Sequence, residues 1–310
     1  MGRIGMKLGS HVSSLQRERQ APYEEGVANA GLLGFDGVEL ICMNQAELTQ
    51  YYTPERCRSL RDLADKHKLV VTQFAIFSTA CEGLASLDPK QKQEGIDIFL
   101  RGMDRCVDLE CGIVNLVAHW PIGLASPHPY PPSYIHPASR GVTQVNSSKF
   151  TMSLPGQFDF GRTWDNYVDS IRILATAAAE RKIRLAIEGH AHVIVSGTDA
   201  MLRLFDSLAD PACVINFDTA WHFVQREYLP MSIAKLGQRI AHVHLRDADG
   251  QLYYGAPVGQ GVIDWHGVIR ALKQVGYAGF LSFEYAGFED FLGVTRRSKE
   301  YIARVLEEAL

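Results

Sequence analysis

Residues 184–190 and 213–222, RLAIEGH and CVINFDTAWH, are two short apolar runs that flank one amphipathic stretch, and they carry the carboxylates Glu188 and Asp218 at their ends. Their unbroken apolar character is that of parallel strands buried on both faces, and the stretch between them suits a crossover helix. The same unit recurs in both directions. Strands are expected at 5–10, 37–41, 69–74, 113–118, 184–188, 213–218, 240–244 and 280–284. Helices are expected at 23–30, 54–67, 89–109, 163–180, 197–207, 230–236, 265–275 and 290–310. Thr53-Pro54 and Asp88-Pro89 each set a capping residue before a proline, and Thr198-Asp199 opens another helix. Eight strands, each followed by a helix, predict an α/β protein: a (β/α)8 TIM barrel spanning residues 1–310 as one domain. A doubly wound open sheet is the competing arrangement, but no GxGxxG turn follows the first strand.

Two further strands end on polar groups. IAHVHLRD (240–247) presents His244, and FLSFEYAG (280–287) presents Glu284. In a barrel, strand ends point to one mouth, so strands five to eight bring Glu188, Asp218, His244 and Glu284 to one centre. Singly, each has a plain structural explanation: a loop cap, a turn with Thr219, a core histidine, an ion pair with Arg246. Together, three carboxylates and an imidazole around one point repel unless a divalent cation sits among them. The donors suit Mn²⁺ first, with Mg²⁺, Co²⁺ and Zn²⁺ as the other candidates.

The segment 121–161 is rich in proline, serine and glycine and lacks a helical period. A connection this long is functional or mobile in a compact domain. Following strand four, it is expected as an insertion over the carboxyl-end face, either as a tolerated loop or as a lid or subunit contact. Tyr130, Tyr134, Phe150 and Phe158 favour the second.

A formal charge of −4 and a pI near 6.3 argue against nucleic acid or an anionic membrane as the partner. The six cysteines form no CxxC pair and read as reduced thiols. The amino terminus, MGRIGMKLGSHVSS, offers no stretch suited to a signal peptide or membrane span. A cytoplasmic protein is expected.

The pieces GFDGVEL (34–40), LAIEGH, FDTAWH, AHVHLRD, PVGQGVIDW (257–265) and GYAGFLSFE resemble the xylose isomerase-like TIM barrels. These are sugar phosphate isomerases and epimerases, including ketose 3-epimerases and inosose dehydratases and isomerases, with C-glycoside deglycosidases as relatives and endonuclease IV more remote. The resemblance implies Glu188, Asp218, His244 and Glu284 as the metal shell, and His222 as a substrate contact. Two departures accompany it. The spacing is DTAWH rather than the DTFH of ketose epimerases, and their basic residue after the HVH histidine is absent at its spacing, with Arg246 the nearest substitute.

Around the shell, His190 is a candidate general base, since imidazole titrates near working pH. Glu39, and His119 with Trp120, are candidates to line the sugar site, and Trp221 and Phe77 to form its apolar wall. His242 is expected one layer below His244. The implied function is a metal-dependent sugar isomerase or epimerase that abstracts a proton beside a carbonyl through a cis-enediolate, with Glu188 and Glu284 moving the proton. The alternative is a lyase of the same fold, cleaving 3-oxo-glycosides with a small partner subunit, or dehydrating an inosose. DNA repair would need more placed histidines and a basic groove, and a non-catalytic sugar-binding barrel would leave the four ligands unexplained. A homo-oligomer is expected by analogy.

Overall fold

The computed structural model describes residues 5–77, 82–117, 154, 156–191, 193–250, 255–285 and 287–309. Eight parallel strands form a closed barrel in sequence order: β1 (Lys7–His11), β2 (Gly37–Cys42), β3 (Val70–Ile76), β4 (Ile113–Val117), β5 (Arg184–Glu188), β6 (Cys213–Asp218), β7 (Ile240–Leu245) and β8 (Phe280–Phe283). β8 returns to pair with β1, which removes the open edge that a doubly wound sheet would keep. Around it run α1 (Glu24–Leu32), α2 (Pro54–Lys66), α3 (Pro89–Asp108), α4 (Phe160–Glu180), α5 (Thr198–Leu208), α6 (Thr219–Val224), α7 (Leu229–Leu236), α8 (Trp265–Gln274) and α9 (Phe291–Glu308).

Local chemistry explains the boundaries. Thr53 and Asp88 cap α2 and α3 by accepting from the amides of Arg56 and Lys90, each with proline in the first turn. The helix that opens at Thr198-Asp199 is α5. Gly197 occupies the cap position, and Thr198 lies inside the helix with its N–H donated to Glu227 at 2.8 Å. The short α6 was not foreseen, and it begins directly from Asp218.

Side chains alternate across each strand, so Phe74, Phe217, Leu245 and Phe283 pack outward in the apolar layer. The inward set is unusually polar: Glu39, Gln73, Asn115, Asn216, His242 and Ser282 are all buried. The stagger between strands sets which of these meet. Glu188 is level with Asn216, Asn216 with His242, and Asp218 with His244. Each of these polar groups therefore sits beside another rather than against aliphatic carbon.

Cys42, Cys57, Cys106, Cys111 and Cys213 are buried free thiols, and Cys81 lies outside the described residues. Among the described residues, no helix is long and apolar enough to cross a membrane. His119, Trp120 and nearly all of the 121–161 insertion, including Tyr130, Tyr134 and Phe150, also lie outside them.

Candidate metal centre

Glu188, Asp218, His244 and Glu284 meet at the carboxyl-end mouth, with one potential ligand atom from each lying within 4.8 Å of all the others. His244 is central. Its Nδ1 lies 2.8 Å from Glu284 Oε2, 3.5 Å from Glu188 Oε1 and 3.7 Å from Asp218 Oδ2. Its Nε2 lies 2.9 Å from Glu39 Oε2. Burial alone would lower the imidazole, but Glu39, Glu284 and Glu188 outweigh it and hold His244 well above its ordinary value. Burial raises the Glu188 carboxyl. Three carboxylates, two of them buried and that of Glu284 half-buried, converge on one nitrogen as an oxygen-rich donor set, and this fits a hard or borderline divalent cation.

Each candidate ligand is fixed by what precedes and follows it. Asp218 ends β6 and also caps α6, with Oδ1 accepting from the Trp221 amide at 2.8 Å. Its Oδ2 receives the Arg246 guanidinium, with Nε at 2.8 Å and Nη2 also bonded. Burial would raise Asp218, but Arg246 brings it below the usual carboxylate value. Arg246 Nη2 also approaches Glu284 Oε2 at 3.6 Å. The Thr219 hydroxyl lies 3.0 Å from the His244 carbonyl and accepts from the Arg246 amide, tying the start of α6 to the end of β7.

Beyond Arg246, the Asp247 carboxylate gathers the GQGVIDW turn. It accepts from the amides of Ala248, Gly259 and Ile263 and from the Trp265 indole at 2.8–3.1 Å. Gly261 is required there, since a Cβ would lie 2.2 Å from Asp247 Oδ1 and 2.3 Å from the Ala248 carbonyl.

The other expected site residues divide. His190 stands beside the centre, its Nε2 3.8 Å from Glu188 Oε1, and its ring packs at a tilt of 44° against Trp221 with centroids 3.9 Å apart. Arg246 lies over the same indole at 5.1 Å. His190 and Arg246 thus both pack against Trp221.

Glu39 and His222 are placed otherwise than expected. β2 runs on to Cys42, so Glu39 sits below the mouth, fully buried, bonded to His244 and to Gln73 Nε2 at 3.1 Å. From there its carboxylate holds the imidazole of His244. Burial would raise its carboxyl, but His244 and His242 bring it down to about 2. His222 is also fully buried. It stacks on Phe217 in the outer layer, and its Nδ1 lies 2.9 Å from Glu227 Oε2. Trp221 takes the third position after Asp218.

Several site residues had not been singled out. Asn115 and Asn216 both donate to Glu188 Oε2, at 2.7 and 2.9 Å. His242 lies below, as expected, between Asn216 Oδ1 (3.0 Å) and the Ser282 hydroxyl (3.1 Å), and burial lowers it to about 3. His11, at the end of β1, faces the His244 ring edge-on with centroids 6.3 Å apart. The available signal was an amide or imidazole inside an otherwise apolar strand.

Comparison with known proteins agrees with this architecture. A sequence model of the xylose isomerase-like TIM barrel matches residues 27–305. A D-psicose 3-epimerase of Enterocloster bolteae is 23% identical over 280 residues, spanning 89% of this chain and 80% of that protein. An L-ribulose 3-epimerase superposes with a TM-score of 0.76 at 17% identity, covering 98% of this chain and 95% of the other. A 3-keto-D-glucoside 4-epimerase from E. coli superposes at 0.72 with 16% identity, covering 96% and 99%.

Proposed function

This chain belongs to the xylose isomerase-like TIM barrel family, and on that footing we propose that it is a divalent-metal-dependent isomerase or epimerase of a small sugar or sugar derivative. The observation that carries the proposal is the convergence of Glu188, Asp218, His244 and Glu284 on one centre. Mn²⁺ is the proposed cation, held by these four residues. When bound, it supplies a Lewis acid that polarises the substrate carbonyl and acidifies the neighbouring C–H.

The chain's own groups do the rest. In this reading Glu188, ending β5, and Glu284, following β8, take the proton from one side of the substrate and return it from the other; their approach to His244 Nδ1 at 3.5 and 2.8 Å supports it. Glu39 keeps His244 oriented with Nδ1 toward the centre. Arg246 supplies a fixed positive charge beside Asp218 and Glu284. His190 and Trp221 form the wall against which the substrate lies. The remainder of the proposal is a cytoplasmic, self-associating single-domain enzyme.

A second reading, toward 3-oxo-glycosides, is favoured by one observation. His222, the expected ketose contact, is turned onto Glu227, and Trp221 stands in its place beside His190. One of the similar structures is named as a 3-keto-glucoside epimerase. An aromatic wall suits a bulkier glycoside better than a free ketose, and elimination then competes with epimerisation. Incubation with free ketoses and with 3-oxo-glycosides separates the two. Sugar interconversion supports the first; turnover of 3-oxo-glycosides alone, with aglycone release, supports the lyase.

A further inference from the structure

The two oxygens of Glu188 have different surroundings. Oε1 faces His244 Nδ1 at 3.5 Å and His190 Nε2 at 3.8 Å. Oε2 accepts from Asn115 Nδ2 at 2.7 Å and from Asn216 Nδ2 at 2.9 Å. These amides come from the two strands that flank β5, and the register sets Asn216 level with Glu188.

Both amides are held with nitrogen toward the carboxylate. For Asn216 the cause is a second bond, its Oδ1 being 3.0 Å from His242 Nδ1. An amide oxygen only accepts, so His242 carries its proton on Nδ1. The Ser282 hydroxyl, 3.1 Å away, then donates to Nε2. The order Ser282, His242, Asn216, Glu188 is therefore a chain of hydrogen bonds with one direction. Asn115 has no such second bond. Its Oδ1 is buried and has no hydrogen-bond partner among the described residues. A buried amide kept only for packing would satisfy both ends. Asn115 leaves its acceptor unused and donates to Glu188, because turning it over would set two oxygens against each other.

We propose that Asn115 and Asn216 are positioning residues that immobilise Glu188 through Oε2, so that Oε1 alone faces the reaction centre, with His242 and Ser282 fixing the amide of Asn216. The proposal rests on the metal-centre reading above. It makes the two glutamates unequal: Glu188 delivers a single fixed oxygen, whereas Glu284 approaches His244 and Arg246 from the end of β8.

The test replaces each donor by its isosteric acid, Asn115→Asp and Asn216→Asp, and measures Mn²⁺ affinity by calorimetry. An acid cannot donate to Glu188 Oε2 without first holding a proton there, so affinity should fall about 10–100-fold, the usual cost of losing a partner behind a ligand. Because the effect acts through Glu188, Asn115→Asp should cause no further loss in a Glu188→Gln background. Unchanged Mn²⁺ affinity in folded Asn115→Asp and Asn216→Asp, with Glu188→Gln weakened, overturns the positioning role alone. Unchanged affinity in Glu188→Gln overturns the metal-centre reading beneath it. Should the acids fail to fold, the parent protein decides by nitrogen-15 NMR. The side-chain amide signals of Asn115 and Asn216 should both move in Glu188→Gln, and signals that stay in place overturn the proposal.

Discussion

Glu39 holds the Nε2 of His244 at 2.9 Å from inside the barrel, which leaves Nδ1 as the nitrogen turned toward Glu284, Glu188 and Asp218. A buried carboxylate behind a histidine fixes both ring orientation and tautomer, and raises the basicity of the nitrogen that faces a metal. Glu39→Gln keeps the shape but weakens this hold. Mn²⁺ affinity is expected to fall about 10–100-fold with the fold retained, as read by calorimetry beside circular dichroism.

Glu284→Gln removes a carboxylate from the centre without emptying its space. Exchange of a substrate C–H with solvent deuterium is expected to drop on the order of 10²–10⁴-fold, the range for a lost acid–base group. NMR of the recovered sugar measures it directly.

Arg246 and Asp218 form a buried pair, and removing one member leaves a charge without compensation. Arg246→Met is expected to lower the stability of the metal-free protein by about 3–5 kcal/mol. Saturating Mn²⁺ should recover part of the loss, since a cation beside Asp218 supplies the missing positive charge. Urea unfolding in chelator and in Mn²⁺ compares the two states.

Most of the barrel is legible in the chain because parallel strands buried on both faces are continuous apolar runs, as in RLAIE and CVINFD. The proposed metal shell is legible for a related reason, since each of its four residues sits at or next to the end of its strand. Asn115 and Asn216 are harder to read. One amide in an apolar run carries no local sign of its partner, and the stagger that sets Asn216 beside Glu188 belongs to the closed barrel. His222 shows how a single position matters. A helix turns about 100° per residue, so in α6, starting at Thr219, Trp221 and His222 project in different directions. Trp221 meets His190, while His222 meets Phe217 and Glu227. Glu39 lies deeper than a strand-end residue because β2 runs three residues past it.

The Glu227 carboxylate joins α5, α6 and α7 by accepting from Thr198, His222 and Ser232. Burial would raise it, but the bonds from these groups bring it down from 4.5 to about 2. A depressed folded-state carboxyl stabilises the protein above its unfolded value, and that contribution is lost as pH falls through the folded one. Glu227→Gln should therefore cost stability at neutral pH, and the difference from the parent should shrink between about pH 4.5 and 2. Denaturant unfolding across that window checks it; a difference that does not depend on pH would contradict it.

The central claim, that four strand-end residues hold a cation which makes a sugar C–H exchangeable, is tested most directly by deuterium uptake from D₂O. The parent protein, stripped with chelator and then reconstituted with Mn²⁺, is incubated with a panel of ketoses, inososes and 3-oxo-glycosides. Deuterium should appear beside the carbonyl of at least one sugar with Mn²⁺, and should be absent in chelator and in Glu188→Gln. Equal uptake in chelator, or uptake undiminished in Glu188→Gln, would contradict the account.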